Sequence, residues 1–480
     1  MIAAPIGAAL FGCAVGPDFK APPAPKAEHY EEQAPPEQVG APSSSGGSGA
    51  MAAQRLVEGA PVATEWWRGY GSADLDQLVS TAFAANPTLL AAQATLRQAH
   101  ETTAATRGAY FPQASAGFSA GRQRNPVEVL SPTLTSGAAL FNLYTPQVTV
   151  SYVPDVFGAN RRQVESAEAE EEAARQELAA TYLTLAGNVV TAAVQEAGLS
   201  AQLEATDRII TVEREALDIL KRQYDLGAVA EADVLAQAAA LAALETGRPA
   251  LDKQLAQQRH ALAVLTGRLP SDPPPVAFRL ADLKLPAEIP LGVPSELVRR
   301  RPDVRAAEAQ LHAASAQVGV ATANLLPQFM LTASIGSTAT DMASLFTSGT
   351  GFWTVGASLS QTLFAGGALV HRRRAAVAAL DAAGDQYRAA VLMAFQNVAD
   401  SLRAVEADAE AEEAARRAAK AAEASLAIAR RMLELGAVSY LALVLAEQTY
   451  QQNVLALAQA QSNRLLDTAA LFQALGGTAP

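Results

Sequence analysis

The hydrophobic and polar positions of this chain run through one series of patterns twice. Apolar residues recur at helical spacing over 87–111 and again over 302–326. Both segments end at a proline followed by glutamine, at positions 112 and 327, and proline ends a helix because it lacks the backbone N–H. Apolar and small polar residues then alternate in two segments of each half, most clearly over 352–360, and this period of two predicts β-strands.

A very long helical pattern follows the strands in each half. Over 368–435 the apolar residues recur at spacings of three, four and seven, which is typical of a packed helix seam, and no proline interrupts this stretch or its counterpart, 159–226. A glycine turn and a further helix, over 231–265 and 440–475, complete each half. At 1.5 Å per residue the long helix spans ~100 Å, close to the ~90 Å of the two shorter helices laid end to end.

Identical residues at shared spacings indicate that the two halves are a duplication. Ten of the 35 positions paired between 87–121 and 302–336 are identical. The tetrapeptide Leu226-Gly227-Ala228-Val229 recurs as Leu435-Gly436-Ala437-Val438, and another glycine follows the glycine of each copy after 40 residues. A repeat of about 200 residues is too long for a solenoid, so we expect two equivalent halves, each with one long helix packed beside two shorter ones.

The predicted strands have the length of tilted membrane-spanning strands, and they cover 113–123, 146–156, 328–337 and 352–364. Four strands cannot close a barrel, and an open sheet edge in lipid leaves backbone groups without hydrogen bonds. Several copies of the chain must therefore close it, and three copies supply twelve strands. The expected fold class is mainly α with a small transmembrane β part: duplicated halves whose long helical hairpins form a trimeric α-barrel tunnel, plus a twelve-stranded trimeric β-barrel. The alternative is a soluble protein in which these segments form a sandwich edge or hairpins packed on helices.

Composition and charge narrow the classes of function. Alanine combined with Leu, Glu, Gln and Arg is typical of long packed helices, and the net charge of −12 argues against a nucleic-acid partner, which requires clustered Lys and Arg. The five histidines are scattered without a metal-ligand spacing, and no nucleophile elbow or phosphate-binding loop occurs. We therefore expect no enzymatic activity, no cofactor and no metal site.

Basic residues follow both pairs of predicted strands, as Arg161-Arg162 and as Arg372-Arg373-Arg374. They are expected at the junction between the barrel and the helices, near lipid headgroups. His312 and His371 lie in helical patterns and are expected to be solvated.

Residues 2–12 form a short apolar run that ends at the single cysteine, Cys13. A small residue before the cysteine and a leucine three positions back are typical of a bacterial lipobox, in which the cysteine is acylated after signal cleavage; a buried cysteine is the alternative. Ala14 favours sorting to the outer membrane. Residues 17–62 are rich in Pro, Ala, Ser and Gly and predict an extended tether without its own core. We find no other run of about 18 apolar residues, the length of a spanning helix.

Several motifs resemble those of the TolC-type outer-membrane efflux family, in its NodT-like lipoprotein branch. Residues 13–19 resemble the start of that branch, and Trp66-Trp67 together with 75–79 resembles its first helix. Residues 294–308 are similar to its most recognisable segment, and 391–402 and 474–477 also fit. The resemblance covers essentially the whole chain.

The resemblance implies a homotrimer in the outer membrane of a Gram-negative bacterium, with a helical tunnel reaching through the periplasm. It implies three further associations: outer-membrane lipid, a periplasmic membrane-fusion adaptor, and an inner-membrane pump of the resistance-nodulation-division (RND) class. Drugs or other small toxic compounds would pass through such a channel chemically unchanged.

The resemblance also places the periplasmic tip at the two glycine turns, where small residues would let an adaptor hairpin approach. The expected contact residues are Gly227, Ala228, Val229, Gly436, Ala437, Val438, Ser439 and Tyr440. A plain helix–helix turn is the alternative. TolC-like tips carry a carboxylate pair after the second glycine, but the matching residues here are Ala442 and Leu445, whereas Asp233 matches an acid that helps hold the tip closed. We therefore expect a narrowed gate at these three residues, without an acidic ring and only weakly blocked by multivalent cations.

The predicted organisation is a signal peptide (1–12), a lipidated tether (13–62), a first repeat (63–270), a linker (271–292) and a second repeat (293–480). Two alternative functions stay open: an exit duct for type I protein secretion, and a non-channel coiled-coil scaffold or adaptor in the periplasm. The duplication argues against an adaptor, which normally has one helical hairpin, and the lipoprotein start favours efflux over secretion.

Overall fold

A computed structural model of the chain describes residues 14–27, 29–31, 36–40, 51–124 and 140–476. The predicted signal peptide, Cys13 and parts of the tether lie outside the described residues. The described residues form two compact units. The first unit comprises 14–22, 96–124, 140–173 and 307–387, and the second comprises 23–27, 29–31, 36–40, 51–95, 174–306 and 388–476.

The elements follow the duplication predicted from the sequence. The helices are α1 (Ala73–Ala85), α2 (Pro87–Arg107), α3 (Ala159–Asp225), α4 (Glu231–Leu265), α5 (Pro294–Arg300), α6 (Pro302–Ala323), α7 (Ala368–Glu434) and α8 (Tyr440–Ala474). The strands are β1 (Gln38–Val39), β2 (Gln54–Glu58), β3 (Gln113–Arg124), β4 (Leu140–Tyr152), β5 (Glu288–Leu291), β6 (Gln328–Ser337) and β7 (Gly351–Ser360). Helices α2, α3 and α4 thus have counterparts in α6, α7 and α8. One strand pair, β3 and β4, lies between α2 and α3, and the other, β6 and β7, lies between α6 and α7.

Some element boundaries differ from the prediction. Helix α2 ends four residues early because Gly108–Tyr110 forms a tighter 3-10 turn before the proline. The strand predicted over 146–156 begins earlier and ends at Tyr152, two residues before Pro154. The short strands β1 and β2 lie within residues 17–62, for which the sequence predicts an extended tether without its own core.

The first unit contains a four-stranded antiparallel sheet in the order β3-β4-β6-β7. The second unit contains a small sheet in which β2 pairs antiparallel with β1 and parallel with β5. This pairing joins the tether to the linker between the repeats. It gives the backbone of an otherwise coreless segment its hydrogen-bond partners.

Aromatic residues before α1 build the main core of the second unit. Trp66 stacks on Phe472 of α8 with ring centroids 5.4 Å apart, and Tyr70 is fully buried and donates to the Leu465 carbonyl at 2.8 Å. The middle of α3 packs against this cluster through Val189 and Val190. Helix α3 contains a window whose length and composition would suit a membrane span, although no such run was expected from the sequence. Of that window, 44% is buried inside the structure, so packing in this core accounts for part of its apolar residues.

A buried arginine fastens the tether to the helices. Arg464 of α8 donates to the carboxylate of Glu412 on α7 at 3.2 Å. Its second terminal nitrogen donates to the carbonyls of Ala52 and Val39 at 3.0 and 3.4 Å. The side chain is almost fully buried, so these acceptors replace the water that the guanidinium loses on folding.

A pair of carboxyl groups lies beside this arginine. Asp408 of α7 faces Asp467 of α8, and burial together with the neighbouring carboxyl raises the pKa of Asp408 to about 7, against the opposing effect of Arg464. One proton shared between the two groups relieves their repulsion. The ionised form of Asp408 is therefore the less stable form in the fold.

Replacing Asp408 with asparagine is expected to stabilise the protein at neutral and alkaline pH but not in acid. Because burial raises the pKa of Asp408 from its ordinary value of 3.8 to about 7 in the folded chain, the cost to stability grows as the pH rises from the ordinary value to about 7 and is constant above that. The apparent melting temperature of Asp408→Asn should exceed that of the parent by a few degrees at about pH 8.5 and converge with it towards about pH 4. Glu410→Gln, an exposed acid of the same helix, serves as the control. A pH-independent difference would contradict this account.

Candidate functional site

The strand register gives the sheet of the first unit one continuous apolar face. Ile335 of β6 pairs with Trp353 of β7, and Ala333 pairs with Val355. The same face continues across β4 and β3 with valine, tyrosine, phenylalanine and alanine at Val148, Val150, Tyr152, Phe118, Ala114 and Ala116. Most of these residues are exposed, while Tyr152 and Ala333 are half-buried, and Val355 keeps 75% of its surface exposed. An apolar patch of this kind indicates an interaction with lipid or another protein.

The opposite face of the sheet carries small and polar residues. Ser334 and Thr354 lie across from each other and share a hydrogen bond of 2.6 Å, and glycine, serine and threonine occupy most of the other positions. Among the described residues, β3 and β7 each pair with one neighbour only, so both outer edges have free backbone groups. A sheet with an apolar face and two unpaired edges is suited to a lipid environment only when other strands complete it.

The two predicted tips have the same backbone geometry in the second unit. Helix α3 ends before Gly227, whose φ is 73°, and α7 ends before Gly436, whose φ is 70°. The amides of Ala228 and Ala437 donate back across the turn to the carbonyls of Gln223 and Met432, at 2.8 and 2.9 Å. This is the hydrogen bond of a Schellman cap, which requires the left-handed conformation that glycine adopts without strain.

The tips expose apolar side chains as well as small ones. Leu226 and Leu435 occupy equivalent positions before the two glycines and are 84% and 67% exposed. Residues Ala228, Ala437 and Ser439 are also exposed, whereas Val229, Val438 and Tyr440 are half-buried. The turns therefore offer a surface with little steric bulk and some apolar area.

The predicted gate residues have different local roles. The carboxylate of Asp233 accepts a hydrogen bond from the amide of Ala230 at 3.2 Å and so caps the start of α4. Leu445 is exposed, and Ala442 is half-buried near the start of α8. Of these three gate residues only Asp233, after the first tip glycine, is acidic.

A buried polar cluster just beyond the tips was not predicted from the sequence. Gln237 of α4 donates to the carboxylate of Glu213 on α3, and Arg430 of α7 donates to Glu447 of α8 at 3.0 Å. Burial raises the pKa of Glu213 against the hydrogen bond from Gln237, and Glu447 raises it further. Burial also raises the pKa of Tyr440 to about 12, with the same two carboxylates adding to the effect. The cluster joins four helices through residues that are far apart in sequence, and its only sequence signal is polar residues within an alanine-rich seam.

Two expectations for residues near the sheet were wrong. Arg162 does not face lipid headgroups, because it is buried and paired with Asp18 and Glu165. His312 is not a simply solvated residue, since its Nε2 lies 2.8 Å from Glu165 and its ring stacks on Phe19. The pair Arg162–Glu165 is local, but the sequence could not predict the contacts of Arg162 with Asp18 and of His312 with Glu165, because these partners are more than 140 residues apart along the chain. In the described part of the chain, no group of three or more His, Cys, Asp or Glu side chains is arranged to hold a metal ion.

Comparison with known proteins relates this geometry to a family. The sequence profile described as outer membrane efflux protein matches residues 78–268 and 293–477. The pyoverdine export outer membrane protein OpmQ of Pseudomonas putida is 30% identical over 419 residues, which cover 86% of this chain and 87% of that protein. The toluene efflux pump outer membrane protein TtgF, also of Pseudomonas putida, is 28% identical over 477 residues, covering 98% and 95%. The solved structure of the outer-membrane channel OprN is 28% identical with a TM-score of 0.81, covering 97% of this chain and 99% of that one.

These similarities confirm the predicted fold class. The long helices and the four-stranded sheet agree over almost the full length of a solved outer-membrane channel. The same relatives confirm the predicted location in the outer membrane of a Gram-negative bacterium.

A charge on the apolar face of the sheet is expected to prevent membrane assembly, whereas the same charge on the polar face is tolerated. Val355→Arg places a guanidinium toward lipid, at a cost of about 2–4 kcal/mol near the middle of the membrane. Ser358→Arg places it on the opposite face of the same strand and is the matched control. We expect Val355→Arg to reduce the heat-resistant oligomer in outer-membrane fractions severalfold and Ser358→Arg to leave it near the parent level. Equal losses in both variants would contradict the assignment of the faces.

Proposed function

Because the chain belongs to the outer membrane efflux protein family, we propose that it is the exit duct of a tripartite efflux pump, through which drugs or other small toxic compounds leave the cell. The observation that carries this proposal is the sheet of the first unit, with its apolar face and two unpaired edges. Lipid covers such a face favourably, and neighbouring copies of the chain supply the missing backbone partners. No reacting group is required, because a channel needs only a membrane wall and a path.

The proposed channel is a homotrimer anchored by lipid at Cys13. Three copies of the sheet supply twelve strands, which exceeds the minimum of about eight for a closed barrel. Acyl chains on this cysteine add membrane affinity to that of the barrel, so the barrel and the lipid act together.

The two tips form the proposed contact with the periplasmic adaptor, which in turn joins an RND pump in the inner membrane. Exposed Leu226 and Leu435 offer apolar area, and the glycines and alanines beside them allow close backbone approach. The equivalent geometry of the two turns gives each chain two similar docking surfaces. The gate is assigned to Asp233, Ala442 and Leu445.

The transported compounds are assigned only as a class, small toxic molecules. The two Pseudomonas relatives above are named for different cargoes, pyoverdine and toluene. This diversity supports a duct of low selectivity, with selection made by the pump.

Photo-crosslinking at the second tip tests the assembly. A photo-reactive residue at Ser439, which is exposed beside Gly436, should capture a periplasmic adaptor of an RND system in intact cells. The matched control is the same residue at Ser80, an exposed serine of α1 in the same unit, and we expect no adaptor there. Capture of a secretion-type adaptor would assign the duct to protein export. An outer-membrane trimer that captures nothing at Ser439 would contradict the placement of the tip.

Introducing an acidic ring at the gate should make the conductance of the channel sensitive to multivalent cations. In a trimer, Ala442→Asp combined with Leu445→Asp adds six carboxylates around the gate, and clustered like charges attract a multivalent counter-ion strongly. We expect a trivalent lanthanide to reduce the conductance of this variant in planar bilayers by about tenfold, and that of the parent by less than about twofold. The neutral pair Ala442→Asn with Leu445→Asn is the control. A parent channel blocked as strongly as the acidic variant would contradict the proposed gate.

A further inference from the structure

We propose that a groove in the first unit is a docking site for the chain's own residues 14–19, and that this contact sets the level at which the lipid anchor meets the membrane sheet. We name the groove the anchor clamp, and it is formed by Phe157, Arg162, His312 and Gly319. The proposal about the lipid rests on the proposed acylation of Cys13. The docking itself rests on the contacts below.

Arg162 is the centre of the anchor clamp. Its Nη2 lies 2.6 Å from the carboxylate of Asp18, and its Nε donates to the Val15 carbonyl at 3.3 Å. Its remaining terminal nitrogen donates to Glu165 at 2.8 Å, and only 6% of the side chain is exposed. A guanidinium withdrawn from water in this way requires acceptors on all sides, and the docked segment provides two of them.

The segment is also held by a ring and by a backbone hydrogen bond. Phe19 stacks on His312 with ring centroids 4.3 Å apart and an angle of 11° between the planes. His312 is oriented by Glu165, the same carboxylate that pairs with Arg162. The amide of Val15 donates to the Phe157 carbonyl at 3.1 Å. The contacts therefore engage both ends of the segment.

Two glycines allow the segment to lie directly on helix α6. A Cβ on Gly16 would come within 2.4 Å of the Gly319 Cα, and a Cβ on Gly319 would come within 2.7 Å of the Arg162 Cγ. The groove thus accepts backbone where a side chain would collide. Such a close fit distinguishes a docking site from chance contact between a tether and a helix.

Contacts continue from the anchor clamp to the sheet. Phe157 follows the end of β4, and its ring lies 6.5 Å, centroid to centroid, from the ring of Phe329 in β6. Residue 13 is two residues before Val15, so a lipid attached there begins within ~7 Å of chain from the contact with Phe157. Held in this way, the acyl chains enter the membrane beside the sheet. A free tether of the same composition would let them attach anywhere within its reach.

The contacts also predict which residue matters most. The carboxylate of Asp18 is 87% exposed, so its attraction for Arg162 is screened by water. Arg162 itself is buried, and its loss removes both bonds to the segment. We expect Arg162→Ala to release the segment most, Phe19→Ala to release it clearly, and Asp18→Ala to release it least.

Limited trypsin digestion of the full-length trimer measures the docking. Lys20 follows the docked segment directly and Lys26 lies beyond it, and both side chains are exposed. Because cleavage follows the population of the open form, the bond after Lys20 should be cut slowly in the parent. Phe19→Ala changes only the segment and should accelerate that cleavage about tenfold, whereas cleavage after Lys26 stays constant as the internal control. Glu37→Ala removes a charge from the same N-terminal region outside the groove and should change neither rate.

Acylation of Cys13 and the yield of trimer in the outer membrane are measured in the same samples. We expect intact-mass analysis to show acylated Cys13 in parent and variants, and Phe19→Ala and Arg162→Ala to lower the heat-resistant trimer in the outer-membrane fraction. Unchanged cleavage after Lys20 in both variants would overturn the docking site. Faster cleavage with a normal yield of trimer would overturn its role in placing the lipid. A parent protein without lipid on Cys13 would refute the proposed anchor, a result that the protease readout keeps separate from the docking itself.

Discussion

The backbone groups at the two edges of the sheet β3-β4-β6-β7 impose the requirement on which the rest of this protein depends. Each unpaired N–H or C=O in hydrocarbon costs several kcal/mol, and β3 and β7 present whole edges of them. The apolar face excludes the alternative of leaving the sheet in water, since nothing among the described residues covers it. Closure by further copies is the remaining solution. Symmetric closure also multiplies the long helices α3 and α7, which continue the chain after each strand pair.

The two repeats share their backbone but not their side-chain chemistry. The glycine caps at Gly227 and Gly436 have nearly the same φ and the same hydrogen bonds. By contrast, Arg162 at the start of α3 is buried under the N-terminal segment, whereas the arginines near the start of α7 are exposed. Duplication therefore accounts for the shared backbone of the two repeats, and later divergence accounts for the different contacts of their side chains. The groove under the N-terminal segment combines the two repeats, with Phe157 and Arg162 from the first and His312 and Gly319 from the second.

The sequence predicted those features that depend on local patterns. Helix lengths, the glycine turns and the four strands of the membrane sheet follow from periodicity and from proline, which act within a few residues. The start of β4 was misplaced because Leu140–Tyr144 has no regular alternation, and its strand conformation comes from pairing with β3. The tip cluster and the docking groove were beyond reach for a related reason. Glu213 and Glu447 come close only in the folded chain, and so do Phe19 and His312. No local sequence pattern predicts the proximity of either pair.

Ion pairs with buried carboxylates fix the register between the long helices, which alanine-rich packing alone specifies poorly. Alanine-rich helices pack through small, similar side chains, so one register between two long helices differs little in apolar contact from the next. Ion pairs between helices remove this ambiguity: Arg464 with Glu412, Arg430 with Glu447, and Arg259 with Glu196 each join two different helices. A shift of one residue would separate the partners and leave a buried charge without compensation, which costs more than the pair contributes when intact. These pairs therefore select the register of the hairpins rather than add to their stability, and a tunnel wall of constant geometry requires that selection.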